Sequence, residues 1–198
     1  MGAKRVFDFT YVEFDEGSTS GKLAAVVTLT PILAAFGLLS AFVVTRRLAW
    51  LWSFAGAVAI DVACGALKEV IGQPRPPGSY RHGPGMPSEH AAFSAFCAVH
   101  LCLWTVRRVR CARGLKAAAC AAFVGWALLV AGSRHVLGVH TAGQLACGAS
   151  LGAVSGTAWF ALEAALWRPV LAPMQRRVDQ VWALLGISFE DYAPAHED

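Results

Sequence analysis

The residues best suited to chemistry in this chain fall in two short polar stretches. The first holds Lys68, Glu69, Gln73, Arg75, Ser88, Glu89 and His90; the second holds Ser133, Arg134, His135, His140 and Gln144. Arginine offers a planar fork to phosphate oxygens, and lysine a movable point charge, so Lys68, Arg75 and Arg134 have the makings of an anion clamp. Pro87-Ser88 opening a helix would aim backbone N–H groups and the positive dipole end at the same anion, with the Ser88 hydroxyl as a further donor. Two histidines near neutral pH can divide the work of nucleophile and acid between them. Cations supplied by the protein can neutralise a phosphoryl transition state. No paired carboxylate and histidine motif for a metal is present, and the reading includes no metal and no other cofactor.

These stretches interrupt a very apolar chain. Of the 198 residues, 56% are hydrophobic and 15% are charged, against about 25% charged in a soluble domain. Apolar runs at about 23–45, 49–71, 91–106, 115–132 and 141–167 approach the ~20 residues that cross a bilayer. The expected fold is therefore all-α: a polytopic membrane bundle of about five transmembrane helices. It would comprise an N-terminal segment 1–22, a membrane domain 23–167 and a tail 168–198, acidic and poorly ordered after Phe189. The first twenty residues hold four acids and no apolar run, which argues against a signal peptide, and Val6 breaks a myristoylation motif. The six cysteines lack paired or Cys/His spacing and read as packing residues.

Cations sort the connections. Arg46-Arg47, the 107–116 run and Arg168, Arg176 and Arg177 all follow odd-numbered spans, which puts them on one face, cytoplasmic by the positive-inside rule. That assignment accounts for the basic run without nucleic acid. Both chemistry-bearing connections then lie on the opposite face, where further cations need a local cause such as an anionic ligand.

Lys68 to Arg75-Pro76 fits K-x6-R-P, Pro87-Ser88-Glu89-His90 resembles P-S-G-H, and Ser133-Arg134 with His140 fits S-R-x5-H. In order and each at a span boundary, these resemble the type 2 phosphatidic acid phosphatase superfamily. Gln-Pro-Arg-Pro, Gly-Met-Pro-Ser-x-His, His140-Thr141-x-x-Gln144 and the Thr10–Phe14 segment are similar to the dolichyl diphosphate phosphatases within it. The resemblance implies hydrolysis of dolichyl diphosphate at the luminal face of the endoplasmic reticulum, in support of dolichol recycling for N-glycosylation. It implies His140 as the nucleophile, His90 as general acid and base, and Lys68, Arg75, Arg134 and Ser88 as the phosphate cradle, with the Glu89 N–H assisting. Its partners are the lipid substrate and the bilayer; oligomeric state is left open.

Two positions depart from the wider pattern. Glu89 replaces a glycine and sets a carboxylate beside the phosphate site, unless it turns away or pairs with a cation such as Arg81. Gln144 replaces the acid that orients the nucleophile; at i+4 it stays on the His140 side, where its carbonyl can fix the ring tautomer. A neutral partner leaves His140 less nucleophilic, which suits the better leaving group of a diphosphate. Other lipid phosphates, or a lipid-phosphate binding protein without turnover, remain alternatives. His100 reads as a locally bonded packing residue. Arg81 and His82 lie in a loop within reach of substrate, and Asp61, inside a span, is a candidate structural or clamp-orienting partner or a direct catalytic group.

Overall fold

A computed structural model describes residues 10–185, so the segment after Phe189 lies outside the described residues. The described chain contains helices α1 (Thr19–Thr28), α2 (Thr30–Thr45), α3 (Leu48–Ile71), α4 (Glu89–Arg108), α5 (Arg113–Val136), α6 (Ala142–Leu166) and α7 (Ala172–Leu184). A π-helical turn, Trp167–Leu171, carries α6 into α7.

Local sequence accounts for the breaks. Pro31 has no N–H for the carbonyl of Val27, and the Thr30 hydroxyl donates to that carbonyl instead at 2.7 Å. The first span is thereby split into α1 and α2. Gly72 ends α3 in the left-handed conformation, φ 62°, its N–H donating to the Lys68 carbonyl. Thr141 caps α6 in a reciprocal capping box with Gln144.

Helix α4 is the centre of the bundle, packed against α3, α5 and α6. Its contact with α6 is set by three glycines at every fourth position. A Cβ on Gly148 would collide with the Ser88 carbonyl, one on Gly152 with the Ala92 carbonyl, and one on Gly156 would lie 2.7 Å from the Phe96 carbonyl oxygen. Small residues let helix backbones approach closely in a lipid setting, where hydrophobic driving force between helices is weak. Farther along the same contact, buried His100 lies 2.9 Å from Ser53 Oγ and 3.9 Å from Glu163 Oε2, tying α3, α4 and α6 together. His100 is thus a packing residue with cross-helix partners.

Among the described residues, three helical stretches are long and apolar enough to cross a membrane: Thr19–Thr45, Arg113–Val136 and Ala142–Leu184. Helices α3 and α4, at 24 and 20 residues, have sufficient length, but Asp61, Lys68 and Glu69 in one and Glu89, His90, Arg107 and Arg108 in the other add polarity. The five expected spans therefore differ in kind. Three have wide apolar faces, with Leu33, Phe36, Leu128, Leu129 and Val154 exposed, and two carry more charged residues, of which Lys68 is buried.

The basic connections share one end of the bundle. Gln175 of α7 accepts from the Leu48 N–H and donates to the Arg46 carbonyl, Arg46 lies over Trp182, and Arg108 over Trp167. The 72–88 and 137–141 connections meet at the opposite end, where the Ser88 N–H donates to the Gln144 carbonyl at 3.2 Å.

Candidate active site

His140 ends the short α5–α6 connection and is 2% exposed. Its Nε2 lies 3.2 Å from Arg75 Nη1, and its Nδ1 lies 3.2 Å from Gln144 Oε1. The orientation of the Gln144 amide is decided by its surroundings. Its NH2 group donates to the Pro74 carbonyl at 2.8 Å and to Gln73 Oε1 at 3.1 Å, so Oε1 faces the Thr141 N–H and the imidazole. An acceptor at Nδ1 requires the proton there, which leaves the Nε2 lone pair directed at Arg75 and available to attack phosphorus.

The fold of the 72–88 loop makes this possible. The Gly85 N–H donates to the Gln73 carbonyl at 2.7 Å, closing the loop on itself. A Cβ at Gly85 would come within 2.7 Å of the Gln144 amide, so only glycine permits that approach. Arg75 is held by a second bond from Nη1 to the Val139 carbonyl at 3.1 Å.

Burial, then Arg75 and Arg134, and more weakly Lys68, push the His140 pKa down to about 3, with the Gln144 bond opposing. Because the shift is downward, the ring is neutral above about pH 3 and charged only below it. The ring therefore does not titrate in the ordinary range. Histidine-labelled protein followed by NMR should show no His140 transition between about pH 5 and pH 8. A transition near the ordinary value, identified by its loss in His140→Ala, would contradict this environment.

The other residues gather around this line. Lys68 Nζ lies 2.8 Å from Glu89 Oε2, so Glu89 pairs with the clamp lysine rather than with Arg81. The carboxylate lies along α3 beside Gly65, where a Cβ would meet Glu89 Oε1 at an ordinary 3.8 Å contact. Ser88 is fully buried, and its Oγ has no hydrogen-bond partner among the described residues. Its backbone N–H, expected to be free for an anion, is taken by the Gln144 carbonyl. Arg134 is 1% exposed and donates from Nη1 to Thr28 Oγ1 at 2.8 Å, while its Nε has no hydrogen-bond partner among the described residues. A buried cation with an unspent donor is suited to an oxyanion. Among the described residues, no three His, Cys, Asp or Glu side chains converge as metal ligands.

His90 is the second residue of α4 and lines a cavity of about 390 Å³ between α2, α3 and α4. The remaining walls are mostly apolar, including Pro31, Phe36, Leu39, Phe54 and Phe93, with Asp61, Arg81 and Glu89 among its lining residues. Sequence reasoning did not single out Gln73 as the brace of Gln144 or Thr28 as the partner of Arg134. Gln73 stands in the Gln-Pro-Arg-Pro motif, whereas Thr28 carries no signal beyond being a hydroxyl inside a span.

The model of the family described as the PAP2 superfamily matches residues 48–168, a stretch containing every residue of this cluster except Thr28. The chain belongs to the PAP2 superfamily. Dolichyldiphosphatase 1 of Mus musculus is 30% identical over 190 residues, covering 88% of this chain and 76% of its own length. Dolichyldiphosphatase of Saccharomyces cerevisiae is 31% identical over 163 residues, covering 78% and 68%. The transmembrane PAP2 type phosphatidylglycerolphosphate phosphatase from Bacillus subtilis shares the fold, with a TM-score of 0.65 at 18% identity over 75% of this chain and 78% of that one. This PAP2 member is accordingly a multi-pass membrane hydrolase, a lipid phosphatase of the dolichyldiphosphatase type.

Proposed function

We propose that the enzyme hydrolyses dolichyl diphosphate to dolichyl phosphate and inorganic phosphate, through a phosphohistidine at His140 Nε2. The observation that carries this is that His90 lines the apolar cavity and also lies close enough to His140 and Arg134 for their charges to act on it, so two unlike environments meet there. On one side stands the His140, Arg75, Gln144 and Ser88 cluster, and on the other the apolar cavity between α2, α3 and α4. A substrate with a long apolar tail and an anionic head meets both.

In the first step Nε2 attacks the terminal phosphorus. The N–P bond forms as the P–O bond to the bridging oxygen breaks, and His90 gives its proton to the departing oxygen. Lys68, Arg75 and Arg134 neutralise the equatorial oxygens, with Ser88 Oγ and the Glu89 N–H donating to them. Water then attacks the phosphohistidine, its proton passes to His90, and the N–P electron pair returns to Nε2. In this reading segment 1–22 and the catalytic end face the lumen of the endoplasmic reticulum, 168–198 faces the cytosol, and the product returns to dolichol recycling for N-glycosylation.

Purified protein assayed on dolichyl diphosphate, undecaprenyl diphosphate, phosphatidate and a sphingoid phosphate tests the substrate class. Dolichyl diphosphate should be preferred; a higher kcat/KM on phosphatidate would overturn the assignment. The same panel tests Gln144. An aspartate there would place charge against the imidazole and help expel an alkoxide, while losing the donation to Pro74 and Gln73. In Gln144→Asp the diphosphate rate should fall and the monoester-to-diphosphate ratio rise about tenfold. An unchanged ratio would sink the link between a neutral partner and a diphosphate substrate.

A further inference from the structure

A diphosphate lipid presents two phosphates, and the cluster around His140 accounts for the outer one. The inner phosphate, which leaves with the tail, must lie on the far side of the reacting phosphorus, between His90 and the apolar cavity. Four polar residues line that cavity: Asp61, Arg81, Glu89 and His90. Two are carboxylates and one is the proposed proton donor, so Arg81 is the lining cation.

The loop places Arg81 there by several contacts. The Arg81 Nη2 donates to the Tyr11 carbonyl at 3.0 Å, and the Arg81 N–H donates to Ser79 Oγ at 3.3 Å. The Tyr11 ring meets Tyr80 edge-on at 5.9 Å, so the segment before α1 braces the loop that carries the guanidinium. Arg81 is also close enough to Arg75 for its charge, after burial, to lower the Arg75 pKa. The two arginines thus belong to one electrostatic site while lying on different sides of it: Arg75 bonds the nucleophile, and Arg81 lines the tail cavity.

We propose that Arg81 binds the inner, departing phosphate of a prenyl diphosphate and so contributes, alongside Gln144, to a preference for diphosphates. This rests on the reading of His140 as nucleophile and His90 as acid. As the bridging P–O bond breaks, the electron pair moves onto the inner phosphate, whose bridging oxygen takes the His90 proton. The negative charge left on its other oxygens is met by the guanidinium fork. A monoester has carbon at that position and nothing for Arg81 to hold. The role is separate from that of Gln144, which acts on the nucleophile.

The test uses the purified full-length enzyme with a prenyl diphosphate as substrate and inorganic phosphate as a competitive probe of the outer site alone. In Arg81→Gln, kcat/KM for the diphosphate should fall about 100-fold. The inhibition constant of inorganic phosphate should shift by less than about threefold, and Arg81→Lys should regain about tenfold of the loss. Equal factors in kcat/KM and in the phosphate inhibition constant would overturn the assignment, because a loop that had merely collapsed would damage both. An unchanged kcat/KM would overturn it as well. A wild-type enzyme that fails to hydrolyse any prenyl diphosphate would instead reject the proposed reaction itself. The two failures are therefore distinguishable.

Discussion

His140→Ala should lower diphosphate hydrolysis by about four orders of magnitude, because in the proposed mechanism it removes the atom that accepts the phosphoryl group. The geometry gives this residue no substitute. Its Nε2 is the ring nitrogen turned to Arg75, and the tautomer that frees its lone pair depends on Gln144 Oε1 at Nδ1. The variant should still fold, since the Thr141 and Gln144 capping box is complete without the imidazole. Brief reaction with a substrate labelled in its terminal phosphate, quenched under alkaline conditions that preserve phosphohistidine, should label the wild type and not the variant. Label retained in His140→Ala, or activity above about 1% of wild type, would reject His140 as nucleophile.

The second large effect is structural and lies farther along α6. Gly152→Leu should destabilise the bundle by at least about 3 kcal/mol, lowering its thermal midpoint in detergent by ~10 °C. A Cβ at Gly152 would collide with the Ala92 carbonyl and lie 2.9 Å from the Phe96 nitrogen, and backbone cannot turn aside as a side chain can. The helices would have to separate. Because α4 carries Ser88 and His90 while α6 carries Gln144, separation would also break the Ser88 to Gln144 bond and spoil the spacing of the two histidines. Gly125→Leu is the control, since nothing lies within 4 Å of a Cβ there. Equal midpoints for the two variants would show that the glycine stripe does not set the contact.

Much of the site is legible in residue types and their spacing. Lys68, Arg75, His90, Arg134 and His140 stand out because cations and histidines are costly beside a bilayer and occur there for a reason. Span lengths locate the helices, since the hydrocarbon thickness dictates how many residues cross it. The Gly148, Gly152 and Gly156 spacing is also present in the sequence. Its meaning is not, because a small-residue stripe becomes a contact only when a partner helix presents its own backbone.

Other features depend on groups far apart in the chain. Glu89 has several cations within plausible reach along the sequence, and packing gives it Lys68, beside Gly65. Ser88 could cap its helix toward an anion or toward protein, and its N–H goes to the Gln144 carbonyl while its hydroxyl stays unspent. Residue types and spacing determined that this chain gathers histidines and cations at one end of an apolar helical bundle, the cluster proposed here as a phosphate site. The local Thr-x-x-Gln capping box turns Gln144 Oε1 to the Thr141 N–H, and only the tertiary structure supplies the acceptors that lock the amide NH2 and so fix which nitrogen of His140 is free. That choice requires the Pro74 carbonyl and Gln73 side chain to be carried to Gln144 from about 70 positions away, and local sequence cannot encode where a hydrogen bond over that separation will close.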